Sequence, residues 1–112
     1  MVKQVEKLTA DGARAVAVAV IERAFLDLRG RGVNGTITWR VRLAWTDYVT
    51  AVVWLASSRA TIWFDILGFN QERCLLGINW CEHALNLLMD ERADLSEEEK
   101  FLLQHGIERL QR

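Results

Sequence analysis

The chain has 112 residues, of which 51% are hydrophobic and 26% charged, and its formal net charge is −1. This length and composition predict one globular domain over residues 1–112 and exclude a disordered chain. The charge gives no overall attraction to nucleic acid or to an anionic membrane. Because the start, MVKQVEKL, lacks the apolar core of a signal peptide and no apolar stretch is long enough for a bilayer, we expect a cytoplasmic protein without a membrane segment.

The charge is distributed unevenly along the chain. Residues 1–73 carry ten Lys/Arg against seven Asp/Glu, which gives +3, whereas residues 74–112 carry four against eight, which gives −4. A polyanion is therefore expected to meet the first two-thirds of the chain and to be repelled by the last third.

Apolar spacing predicts an all-α fold, a compact bundle of five to seven helices. Apolar residues recur at three- and four-residue intervals in a first helix that Thr9 or Asp11 can cap and that ends near Arg29. As an alternative, Val2, Val5 and Leu8 could extend this helix backwards. The loop Gly30–Thr38 follows, and its Asn-Gly dipeptide leaves a small hairpin over residues 33–38 as an alternative.

The second predicted helix begins at Trp39 or Arg40 and ends at Ala56. It is apolar on nearly all sides after Tyr48, which predicts that it is the central helix. Its predicted inward residues are Val41, Trp45, Tyr48, Val49, Val52 and Leu55. Trp45 and Trp54 lie roughly 180° apart on this helix at about 100° per residue, so if one is in the core, the other faces a neighbouring element or another subunit.

The next three predicted helices are short and are bounded by serine, asparagine or glycine. They are Thr61–Leu67, which follows a Ser57-Ser58 cap and ends at Gly68; a helix capped by Asn70 that runs to Leu76 and ends at Gly77; and Trp80 to about Met89, capped by Asn79.

The last predicted helix is Glu97–Leu110. Ser96 and Glu99 have the spacing of a capping box. Gly106 is expected to weaken the helix by roughly 1 kcal/mol relative to alanine. Its predicted inward residues are Phe101, Leu102, Ile107 and Leu110.

The stretch Ala51–Gln71 resembles a set of small proteins encoded by bacteriophages and prophages. Their pattern is A-x-x-W-[LI]-x-S, a short aromatic spacer and C-x-x-L-G-[IL]-[DN]-P. The matching residues here are Ala51, Trp54, Leu55 and Ser57, then Leu67, Gly68, Phe69 and Asn70, with Phe64 in place of Cys and Gln71 in place of Pro. The resemblance implies a phage origin, a helical fold and the cytoplasm of a bacterial host, and it implies no particular activity.

The helices on either side of Gly77 have the proportions of a helix-turn-helix corner. In that interpretation Glu82, His83 and Asn86 face a DNA groove. The inward residues are then Trp80, Ala84, Leu85 and Leu88. The chain has no Lys or Arg between residues 73 and 92 to hold phosphate, which favours the alternative that the corner serves packing alone.

A second candidate for nucleic-acid binding is a set of arginines around the glycine loop. These are Arg29, Arg31, Arg40 and Arg42, with Trp39 between them. Arginine and tryptophan can hold phosphate and stack on bases. The alternative is that the arginines only solvate a loop and a helix end.

Aromatic side chains near the middle of the chain are the candidates for binding a protein partner. Burying both rings of the dipeptide Trp63-Phe64 in a short segment is difficult, and exposed aromatics commonly anchor interfaces. The predicted partner-binding residues are Trp63, Phe64, Phe69 and Trp80, and the partner is a host protein or a second copy of the chain.

Two cysteines and two histidines, Cys74, Cys81, His83 and His105, do not have the paired spacing of zinc ligands. They are interpreted as buried core cysteines and ordinary histidines. No catalytic set or phosphate loop is evident. We therefore expect no enzyme, no metal, no cofactor and no small-molecule substrate.

Two functional hypotheses remain. The first is a small phage accessory protein that binds a host protein, for example to inhibit a bacterial defence or regulatory complex, with its acidic last third mimicking nucleic acid. The alternative is a phage transcription regulator of the helix-turn-helix type that binds DNA as a dimer.

Overall fold

The computed structural model describes residues 2–28 and 39–111, and within them it contains helices and no β-strand. This confirms the all-α prediction. The hairpin considered for residues 33–38 lies outside the described residues. The helices are α1 Val2–Asp27, α2 Trp39–Leu55, α3 Ser58–Leu67, α4 Gln71–Gly77, α5 Trp80–Leu88, a 3₁₀ helix Glu91–Ala93, and α6 Glu97–Leu110.

Most helix boundaries agree with the sequence to within a residue or two. The two exceptions are helices that begin earlier than predicted. α1 starts at Val2, because residues 2–8 contain neither glycine nor proline and nothing there breaks the helix. α3 starts at Ser58, three residues before the predicted start at Thr61 and directly after Ser57. None of the described helices is long and apolar enough to cross a membrane.

α2 is the central helix, as predicted, because it contacts α1, α3, α5 and α6. Its buried residues are Tyr48, Ala51, Val52 and Leu55. Other helices complete one core around them with Ile21, Ala24, Ala60, Phe64, Leu75, Trp80, Ala84, Leu87, Ala93, Leu103 and Ile107. Trp45, Val49 and Trp54 are half-buried against this core, so neither tryptophan is fully inside it; the side chain of Val41 lies outside the described ones.

Trp80, the first residue of α5, is completely buried and joins α5 to the end of α2. Its indole Nε1 donates a hydrogen bond to the carbonyl oxygen of Val52 at 2.8 Å. α2 ends in a tight turn, in which the Ala56 amide donates to the carbonyl of Val53. The Val52 carbonyl therefore accepts from the indole, and without it a buried acceptor would be left unpaired at a cost of about 1–3 kcal/mol.

Gly106 in α6 provides the space for the Trp80 ring. A Cβ atom at residue 106 would lie 2.6 Å from Cη2 of Trp80 and 2.9 Å from Cζ3, closer than carbon atoms can approach. Gly106 therefore has a packing role that helix propensity does not describe. The absent side chain lets α6 pack directly on the indole.

The other predicted inward residues of α6 are only partly correct. Leu103 and Ile107 are buried, and Leu102 and Leu110 are half-buried. Phe101 is 69% exposed and stacks on the ring of His105, so its predicted inward position is wrong. The helix turns this way because Leu103, Ile107 and Gly106 together form the face that meets Trp80 and its neighbours.

Two of the predicted caps are confirmed. The Asn70 side chain accepts a hydrogen bond from the amide of Arg73 at 3.0 Å. Ser96 and Glu99 form a complete capping box, with each side chain accepting from the backbone amide of the other. These caps fix the starts of α4 and α6.

The other predicted caps are not formed: Thr9 and Asp11 lie inside α1, and Asn79 and Ser57 lack the side-chain hydrogen bond. Asn79 precedes α5 at a φ of 55°, a left-handed conformation that asparagine tolerates, and it makes no side-chain cap. Ser57 precedes α3, but its hydroxyl donates to the carbonyl of Trp54 at 2.6 Å. Asn79 and Ser57 therefore stabilise the turns that precede α5 and α3.

We expect Gly106→Ala to destabilise the protein by about 1–3 kcal/mol, because the new methyl group overlaps the Trp80 ring. The control is Gly12→Ala in α1, where nothing lies within 4 Å of the added Cβ. The control should gain up to about 1 kcal/mol from helix propensity. Urea denaturation of both variants checks this, and a stabilised Gly106→Ala variant would contradict it.

Candidate binding surfaces

The four aromatic residues predicted to bind a partner occupy very different environments. Phe64 and Trp80 are fully buried, so the expectation that they are exposed is wrong. Both rings face the core, where Phe64 anchors α3 and Trp80 anchors α5. Trp63 is half-buried, and Phe69 is 55% exposed. Only the latter two are accessible to another molecule.

The accessible apolar residues of α3 and of the turn after it form a surface that we call the α3 surface. It consists of Ile62, Trp63, Ile66 and Phe69. Ile62 is 62% exposed, and Ile66 lies one turn later on the same side of the helix. Gly68 ends the helix at a φ of 72°, and the amide of Phe69 donates to the carbonyl of Phe64 at 3.0 Å. This turn fixes the backbone of Phe69, while its ring stays exposed.

The helix-turn-helix-like corner packs differently from the prediction. Trp80 and Ala84 are buried as expected, but Leu85 is 43% exposed and Leu87 is buried. Leu88 is half-buried against the core. Because Trp80, Ala84 and Leu87 follow at helical spacing, they fix the buried face of α5, and Leu85 turns outward.

His83 therefore faces α2, and Asn86 lines a cleft between α2 and α5, which corrects the expected arrangement. His83 Nδ1 lies 2.8 Å from the hydroxyl of Tyr48, and the two rings meet edge to face. The Asn86 side chain is half-buried, and its Nδ2 atom is covered and has no hydrogen-bond partner. The His83 side chain thus helps to join α5 to α2.

The structure does not test the predicted arginine surface. Arg29 and Arg31 lie outside the described residues. Arg40 and Arg42 lie in the first turn of α2, but their side chains are outside the described ones. A role for these arginines in binding phosphate stays a prediction.

A cleft of about 490 Å³ opens between α2 and the end of α5, and we call it the Trp45 cleft. It is lined by Trp45, Tyr48, Asn86, Leu87, Met89, Asp90, Glu91 and Arg92. Sequence reasoning missed this cleft, because its two sides come from segments far apart in the chain and no local pattern links them.

Arg92 and Asp90 form an ion pair at the edge of the cleft. The Arg92 guanidinium donates to both carboxylate oxygens of Asp90, at 3.1 and 2.8 Å, and lies 4.3 Å from the centre of the Trp45 ring. The hydrogen bond from the Arg92 side chain holds the pKa of Asp90 below its usual value, and the same contact raises the pKa of Arg92. Asp90 is therefore ionised at neutral pH.

The cysteines and histidines do not come together as a ligand set. Cys74 and Cys81 are free and half-buried, which is less burial than predicted, and burial raises the pKa of the Cys81 thiol. A raised pKa makes this thiol a weak nucleophile at neutral pH. Within residues 2–28 and 39–111, no group of three or more His, Cys, Asp or Glu side chains could hold a metal ion.

Comparison of the chain with protein-family models, curated proteins and solved structures gives no match. The resemblance to phage-encoded proteins therefore stays a prediction.

We expect Asp90→Asn to lower the stability of the protein at neutral pH. Asparagine can still accept the hydrogen bond that Asp90 accepts from the Arg92 amide, so the substitution removes only the charge. Since the pKa of Asp90 is lowered in the folded state, its stabilising contribution is complete above the unfolded value of about 3.9 and is lost as the pH falls further.

Urea denaturation of wild type and variant between pH 7 and pH 3 checks this, and the difference between them should shrink on acidification. Asp94→Asn is the matched control, because it removes a charge from the same connector without touching the Asp90–Arg92 pair. An equal, pH-independent loss in both variants would refute the assignment.

Proposed function

We propose that this protein acts by binding another protein, without catalysis, and that the α3 surface is the contact. The observation that carries the proposal is the exposure of Ile62 and Phe69 on a segment whose intervening residue Phe64 is fully buried. The buried ring holds the segment in place, so that the exposed apolar side chains need little further ordering on binding. Such pre-ordered apolar anchors are typical of interface hot spots.

The backbone next to the α3 surface is also held by hydrogen bonds from the Gln71 side chain. The Gln71 side chain donates to the carbonyl of Leu55 at 2.8 Å and accepts from the hydroxyl of Thr61 at 2.7 Å. This amide therefore connects the end of α2, the first turn of α3 and the start of α4. A surface supported in this way can meet a partner with little change of shape.

The partner that we propose is a protein of a bacterial host, for example a component of a defence or regulatory complex. The resemblance of Ala51–Gln71 to phage-encoded proteins supports a host setting. The acidic last third of the chain, with Glu97, Glu98 and Glu99 in the first turn of α6, would suit a partner that normally binds nucleic acid.

DNA binding through the helix-turn-helix-like corner has less support. His83, one of the proposed base-reading residues, contacts the hydroxyl of Tyr48 on α2. Asn86 is half-buried beside it. To read a base edge, His83 would have to leave its contact with α2.

The α3 surface is tested by a double substitution, Ile62→Asp with Phe69→Asp, in an affinity-tagged chain. Charged groups at both positions should weaken partner binding by at least about tenfold, because each would be desolvated in an apolar interface. The measurement is capture from a nuclease-treated bacterial lysate, followed by identification of the bound protein and titration with the purified partner.

Phe101→Asp provides the matched control, because Phe101 is a similarly exposed aromatic residue on α6. It should leave capture unchanged. A partner that is lost on nuclease treatment would favour the DNA-binding alternative. Equal capture by wild type and the double variant would remove the α3 surface from the proposal.

A further inference from the structure

The Trp45 cleft contains the chain's own arginine in an arrangement that proteins use to recognise arginine. The Arg92 guanidinium stacks 4.3 Å from the centre of the Trp45 ring while it donates to both oxygens of Asp90. A planar guanidinium gains from both contacts, since it is attracted to the face of an indole and matches a carboxylate with two parallel hydrogen bonds. The aromatic ring and the carboxylate are therefore already placed for such a group.

The Trp45 ring and the Asp90 carboxylate are held in place by contacts that do not involve the Arg92 side chain. The Trp45 indole Nε1 donates to the backbone carbonyl of Arg92 at 3.2 Å, and its ring lies 5.5 Å from that of Tyr48, which is 1% exposed. Asp90 is held by accepting from the backbone amide of Arg92 at 2.9 Å. None of these contacts uses the guanidinium.

The Arg92 side chain, in contrast, is held loosely. It is 70% exposed, and its partners are the half-buried carboxylate of Asp90 and the face of the half-buried Trp45 ring. Because water screens a guanidinium that is this exposed, its ion pair and its cation–π contact each contribute only modestly. The cleft volume of about 490 Å³ lies within the range of small-ligand sites and leaves room beside the guanidinium.

We propose that the Trp45 cleft binds an arginine side chain of a protein partner, and that Arg92 occupies this place in the free chain. On binding, the incoming guanidinium displaces Arg92 from Trp45 and Asp90. Glu91 lies on the same wall, so that removal of Arg92 leaves two carboxylates and no cation among the described residues that line the cleft. The carboxylates of Asp90 and Glu91 suit a cationic side chain. The inference concerns a different surface from α3 and does not depend on the function proposed for that surface.

The test follows from the idea that Arg92 competes with the ligand. Arg92→Ala removes the competitor but keeps the backbone carbonyl that holds Trp45. The probe is N-acetyl-arginine amide, titrated into ¹⁵N-labelled protein while the indole N–H resonance of Trp45 is followed by NMR. The Trp45 resonance is assigned with Trp45→Phe, and the resonance of the buried Trp80 indole reports that the fold is intact.

We expect Arg92→Ala to bind the probe about fivefold or more tightly than wild type. In wild type, the probe must first break the contacts of Arg92 with Trp45 and Asp90, and the variant does not have these contacts. Adding Asp90→Asn to Arg92→Ala should weaken binding again by about threefold or more, because the bidentate acceptor loses its charge. Arg109→Ala is the matched control, since Arg109 is also an exposed arginine paired with a glutamate, on α6. It should bind as wild type does.

The neutral analogue N-acetyl-citrulline amide has nearly the same shape and no charge. If it shifts the Trp45 resonance of Arg92→Ala as strongly as the arginine probe does, the cleft does not recognise a guanidinium. If Arg92→Ala binds no more tightly than wild type while the Trp80 resonance is unchanged, Arg92 does not occupy the ligand's place. Either result overturns the proposal.

Discussion

The packing of the Trp80 indole between α2 and α6 is the contact on which the rest of the structure depends. Its Nε1 pairs with the Val52 carbonyl at the end of the central helix, and its ring fills the space that Gly106 leaves open. One side chain therefore satisfies a buried acceptor, fixes the rotation of α5 and sets the distance of α6. Few substitutes exist for it, because only an indole combines this volume with a donor at the edge of the ring.

The rotation of α5 then determines what each of its other residues can do. With Trp80 inward, helical spacing places Ala84 and Leu87 in the core and turns Leu85 to the outside. His83 consequently contacts Tyr48 on α2, and Asn86 lines the Trp45 cleft. The corner at Gly77 has the proportions of a DNA-reading motif, but its geometry is set by packing on α2.

The sequence predicted the helices and their ends well, because apolar periodicity and capping are local properties. Asn70 and the Ser96–Glu99 box are caps that a few neighbouring residues define, and both are present. Gly106 could not be understood locally, since its role depends on Trp80 from another helix. In the same way, the exposure of Phe101 depends on which face of α6 meets α5.

The candidate sites were less predictable than the fold, for a related reason. The local aromatic pattern indicated α3 and correctly included Trp63 and Phe69, but burial of Phe64 depends on the helices beneath it. The Trp45 cleft joins residues that are 47 positions apart, Trp45 and Arg92, and no spacing rule connects them. A contact of this kind becomes visible only when α2 and the end of α5 are packed together.

The two surfaces differ in the physical forces that would hold a partner, so their contributions to binding can be separated. The α3 surface offers apolar side chains, whose burial changes little with salt. The Trp45 cleft offers the carboxylates of Asp90 and Glu91, and its attraction for a cationic side chain is screened over about 10 Å at 0.1 M salt. A partner that used both would lose only the second part of its affinity as salt rises, and the affinity that remained would still depend on Ile62 and Phe69. A single partner in contact with both would therefore be recognised by a salt dependence that Arg92→Ala alters and that uncharged α3 substitutions, Ile62→Ala with Phe69→Ala, leave unchanged.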